Sequence, residues 1–125
     1  MIQSILLYFG AFSAILWGTA HLFPTKNVVK GFGEISEDNK NIITMEWIIE
    51  GLALIFVGLL IFFTTLEGER KSAIFEIVGI SSAAMLFSMA VISFFTGFRV
   101  RFLPYRLCPL IFLISGISIL FGTLM

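Results

Sequence analysis

Charge is scarce in this chain. Only 13% of its 125 residues are Asp, Glu, Lys or Arg, where a soluble domain carries about a quarter to cover its core. Acids and bases cancel to a formal net charge of zero, so no basic field invites nucleic acid. A single cysteine, Cys108, excludes an intrachain disulfide and any CxxC pair. A single histidine, His21, leaves no H-x-x-x-H or E-x-x-H spacing, and we expect no metal site. G-x-S-x-G and P-loop motifs are missing too, which removes the usual signatures of acyl and phosphoryl transfer. No stretch alternates polar and apolar residues as a membrane-spanning strand of ~10 residues would. The motifs name no cofactor.

Apolar residues fill the space that charge leaves. They make up 58% of the chain, and the mean hydropathy is +1.04. They gather in four runs, 2–23, 42–66, 72–96 and 107–125, each long enough at ~1.5 Å per residue to cross a hydrocarbon layer of ~30 Å. The first run lacks the basic start and small-residue cleavage site of a signal peptide and reads as a retained helix. The expected fold is therefore all-α: one polytopic membrane domain, a four-helix transmembrane bundle spanning residues 1–125.

Lys26, Lys30 and Lys40 fall between the first two runs, and Arg99, Arg101 and Arg106 between the last two. The opposite side holds only Arg70 and Lys71. The positive-inside rule then places 24–41 and 97–106 in the cytoplasm and both termini outside. The expected setting is a bacterial-type inner membrane. In the first connection, Gly31-Phe32-Gly33 suits a turn, while Val28, Val29 and Phe32 suit a cover lying at the interface. Asn41 or Thr44 is the expected N-cap of the second helix. The short link 67–71 predicts a tight antiparallel pair of the second and third helices. Gly10, Ala14 and Gly18, four residues apart, make a small-residue face for close helix packing, within the chain or in a homodimer.

The acidic residues of the second run carry the functional reading. Glu46 and Glu50 are one helical turn apart and share a face. A carboxylate at the centre of a membrane helix costs roughly 2.5–3.5 kcal/mol on insertion scales, so it ordinarily faces protein or a water-filled cavity. Glu50 lies roughly 12 Å along the axis from Ile42. Two acids on one desolvated face hold protons as a coupled unit, giving an acid and a base together. His21 closes the first run and supplies an imidazole, the side chain that ordinarily changes charge near neutral pH. With four antiparallel spans, Glu50, Glu46, His21 and Cys108 all fall near the end that carries Arg106.

Glu50, Glu46 and His21 are thus the candidate acid/base residues, and Trp47, Trp17, Arg106 and Cys108 the candidate ligand-binding ones. Simpler roles stand beside these. Glu46 also reads as a solvated interface carboxylate, His21 as an interfacial hydrogen-bonding group and Cys108 as packing. Trp17, Trp47, Tyr8 and Tyr105 also read as interface anchors.

Gly18-Thr19-Ala20-His21-Leu22-Phe23-Pro24, Glu50-Gly51-Leu52-Ala53-Leu54 and Gly58-Leu59-Leu60, followed by a short charged turn, resemble the DoxX-like group of small four-helix membrane proteins. The resemblance covers about half the chain. It implies the four-helix architecture and, from some members, association with quinone-linked redox complexes. The long acidic first connection and the doubled glutamate depart from that pattern. A more distant similarity is to EXPERA-type proteins, which place a His on one helix and Glu residues on the next around a buried lipophilic ligand. It implies for His21, Glu46 and Glu50 proton transfer on a lipid-like molecule.

These observations converge on an intramembrane acid/base pocket for a small lipophilic molecule, a quinone, isoprenoid or sterol-like lipid, with or without proton-transfer chemistry. Two other readings stay open. One is a proton-coupled transporter or channel subunit. The other is a non-catalytic assembly or scaffold protein.

Overall fold

The computed structural model describes residues 1–125 and contains helices and no strands. Five α-helices, α1 (Ile2–Leu22), α2 (Thr25–Gly31), α3 (Glu37–Glu67), α4 (Ala73–Phe95) and α5 (Leu103–Leu124), are joined by short connections, and a single 3-10 turn, Gly97–Arg99, follows α4. Helices α1, α3, α4 and α5 are each long and apolar enough to cross a membrane.

The boundaries differ from the sequence expectation where helices begin with polar turns. Helix α3 starts at Glu37 rather than at 42, because Ser36 caps it: its hydroxyl accepts from the Asn39 N–H at 3.2 Å. Glu37 and Asp38 fill the first turn, where the helix dipole favours acids. Thr44, an expected cap, lies inside the helix and donates to the Lys40 carbonyl. Hydropathy registers the apolar span and overlooks such a polar leading turn. Residues 25–31, expected as loop, form the short helix α2, with Gly33 in the left-handed region (φ +75°) providing the turn after it. Helix α5 starts at Leu103 rather than at 107, with Pro104 in its first turn, where a missing N–H costs nothing.

The expected pairing of the second and third helices is overturned. Helices α3 and α4 barely touch; the main contacts run between α1 and α3, α1 and α5, and α4 and α5. Glycines set this order. A Cβ on Gly58 would lie 2.7 Å from the Ala11 carbonyl oxygen of α1. One on Gly10 would lie 2.6 Å from Ile119 of α5, and one on Gly116 2.7 Å from Phe87 of α4. Gly58 thus lets two helix backbones approach closely, whereas Gly10 and Gly116 make room for the Ile119 and Phe87 side chains. The four long helices therefore follow one another as α3, α1, α5, α4, with a seam left between α4 and α3. Gly10, Ala14 and Gly18 are all buried within this arrangement, so their face serves packing inside the chain. Leu7, Leu54, Ile61, Leu86, Phe112 and Ile119 fill the centre. Large apolar side chains such as Leu16, Phe56, Phe63, Ile74 and Phe95 point outward.

Candidate functional site

The site begins with two glycines. Gly18 of α1 and Gly51 of α3 face each other: a Cβ on Gly18 would lie 2.6 Å from the Gly51 carbonyl oxygen, and one on Gly51 would lie 3.0 Å from that of Gly18. With the backbones this close, the next turn of α1 presents His21 to Trp47 and Glu50. The His21 and Trp47 rings stack, with centroids 3.7 Å apart and planes 16° from parallel. The Trp47 indole Nε1–H donates to the His21 carbonyl at 2.6 Å, one of the last carbonyls of α1, which have no partner within their own helix.

His21 is 7% exposed, and its Nε2 lies 3.3 Å from Glu50 Oε2. That separation is ion-pair distance, yet Nε2 makes no aligned hydrogen bond to the carboxylate. The contact is thus a charge pairing when the imidazole is protonated, and Nε2 is otherwise buried without a hydrogen-bond partner. The Glu50 side chain remains 36% exposed. It opens on a cavity of about 720 Å³ between α3, the end of α4 and the start of α5. Val28 of α2 and Phe32 just after it line the side of this space nearest that helix. Met89, Ile92, Val100 and Phe102 make its apolar wall, while Asn27, Ser93, Thr96, Tyr105 and Cys108 add polar atoms. A mostly apolar concavity with a few convergent polar groups is the usual form of a small-molecule site.

The remaining candidates are scattered around this centre. Glu46 is exposed and borders a second, smaller cavity of about 430 Å³, together with Trp47 and Glu50. Cys108 is buried, lines the large cavity and accepts from the Trp17 indole Nε1–H at 3.4 Å, so Trp17 supports the wall through Cys108. Arg106 is exposed, donates to the Val100 carbonyl at 3.1 Å and lines neither cavity. Arg99 and Arg101 are likewise outside both linings, so Glu50 is the one charged side chain facing the larger space. No three His, Cys, Asp or Glu side chains come together as metal ligands do.

Tyr105 is the residue whose place the sequence did not disclose. It faces both cavities and meets the Trp47 ring edge-on, with centroids 5.4 Å apart. Pro109 has no N–H to give to the Tyr105 carbonyl, so the helical bond there is missing. Gly97 packs against that oxygen, where a Cβ would lie 3.1 Å away. Pro109 four residues after Tyr105 was the available signal, but it shows a local irregularity and not what the ring faces. Compared with known proteins, the chain matches no family model, no curated protein and no solved structure.

Proposed function

We propose that this chain is an integral membrane protein whose four long helices form a transmembrane bundle around a binding pocket for a small lipophilic molecule. The pocket lies at the end of the bundle that carries α2 and the 97–102 segment. Lys26, Lys30, Lys40, Arg99, Arg101 and Arg106 belong to that same end, which makes it the cytoplasmic side, with both termini opposite. The observation that carries the reading is the His21–Glu50 contact opening on an otherwise apolar cavity. A carboxylate kept in such a place is ordinarily functional.

Glu50 accepts a hydrogen bond or a proton from the ligand's polar group, and His21 behind it supplies or receives a second proton. Tyr105 and Thr96 can orient the same group. With no activated nucleophile beside the cavity, proton-transfer chemistry such as isomerisation suits these residues better than hydrolysis. The transporter reading has less support. Going from Glu50 toward the far end of α3, the buried side chains are Leu54, Val57, Ile61 and then Thr65, whose hydroxyl is bonded to its own helix. That path offers a proton no titratable relay, and the buried Ser82 of α4 and Ser115, Ser118 and Thr123 of α5 add only hydroxyls.

Mass spectrometry of small molecules retained by the protein in mild detergent tests the proposal. A lipophilic molecule should co-purify near one per chain and be largely lost in Glu50→Gln while the protein stays folded. Equal retention by wild type and Glu50→Gln would refute the site.

A further inference from the structure

The two cavities share Glu50, Met89 and Tyr105 but differ beyond them. The larger one is bordered by α2 and holds most of the polar groups. The smaller one lies in the seam between α3 and α4, the adjacent long helices with the least mutual contact. It runs from Ile42, Ile43 and the exposed Glu46, on the α2 side of Glu50, to Ala53 and Met85, about one helical turn farther from α2 than Glu50 and Met89. Apart from Glu46 and Glu50, its lining is apolar or aromatic, and Ile49 and Met85 are also exposed on the outer surface. The seam therefore joins the carboxylate to the flank of the protein.

We propose that the two cavities are compartments of one site and that its ligand is an amphiphile. Its polar head sits at Glu50 on the α2 side, and a single hydrocarbon chain lies in the α3/α4 seam, entering sideways from the bilayer core. This rests on the membrane-pocket reading above and adds the ligand's shape and route. Physical chemistry supports the division. A chain leaving lipid for the deeper part of the seam, at Ala53 and Met85, exchanges one apolar surrounding for another, whereas a polar head moved there from Glu50 would lose its hydrogen-bond partners. Met85 and Met89 are unbranched and polarisable, suited to closing around chains of varied shape.

The seam can be tested without knowing the ligand. Trp17→Phe leaves Trp47, which borders the seam, as the only tryptophan. This variant is placed in phosphatidylcholine vesicles with one acyl chain brominated at mid-depth, and its emission is compared with that in unbrominated vesicles. Bromine should quench Trp47 strongly. Adding Ala53→Phe, which fills the seam, should remove most of that quenching, whereas Leu52→Phe on the outer face should leave it unchanged. If Ala53→Phe does not fold, Met85→Phe from the facing helix should have the same effect. Absence of quenching, or equal quenching in the seam-filled and Leu52→Phe proteins, would overturn the lateral slot. A Glu50-dependent molecule still retained in that case would leave the pocket standing without it. Loss of the retained molecule from the wild type itself would remove both.

Discussion

His21 is held from three directions. Gly18 fixes the backbone below it, the Trp47 ring covers one face, and Glu50 approaches Nε2. Trp47 does two jobs in this cluster, stacking on the imidazole and donating to the carbonyl behind it. Trp47→Phe keeps an aromatic face and deletes the N–H. The buried carbonyl then loses its partner, at a cost of about 1–3 kcal/mol. Thermal unfolding in detergent should show a midpoint several degrees lower, with ligand retention weakened less than in Glu50→Gln. An unchanged midpoint would mean that the hydrogen bond contributes nothing to holding α1 on α3. The sequence placed Glu46 and Glu50 together as a pair, but the side chains divide. Glu46 is exposed, while Glu50 turns to His21.

At the scale of the helix, glycine placement decides which elements meet. Gly18→Val would force a side chain into the Gly51 carbonyl and Leu54, where the Gly18 Cβ alone would be 2.6 Å from that oxygen. Overpacking of this kind typically costs about 1–3 kcal/mol. Here it should also part His21 from Glu50, so both the unfolding midpoint and ligand retention should fall. Gly31→Ala in α2 is the contrast, since a Cβ there meets nothing within 4 Å. Its unfolding free energy should stay within the roughly ±0.5 kcal/mol typical of surface changes, leaving the midpoint nearly unmoved. Long apolar runs made the four long helices legible from sequence alone. Their order was less so: the short link 67–71 suggested pairing α3 with α4, but chain proximity does not outweigh the fit of Gly58 to α1 and of Gly116 to α4. Helix α2 escaped notice because seven residues give no periodic signal, and Tyr105 because its role depends on Gly97 and Pro109 together.

For the whole molecule, the proposed orientation follows from six basic residues at the end that holds the cavity. It can be checked with Asn39→Cys, an exposed position in the first turn of α3, in a Cys108→Ala background. A membrane-impermeant thiol reagent should label this cysteine in inverted vesicles and leave it unlabelled in intact cells. The opposite pattern would place the cavity on the outer side and reverse the proposed topology. The most direct test of the account joins the two residues at its centre. Ligand retained per chain is measured by mass spectrometry in the wild type, His21→Ala, Glu50→Gln and the double variant. If His21 and Glu50 act as one unit, either single change should remove most of the ligand and the double variant should lose little more, since contacting residues are not additive. Independent, multiplying losses, or retention by either single variant at the wild-type level, would contradict the account.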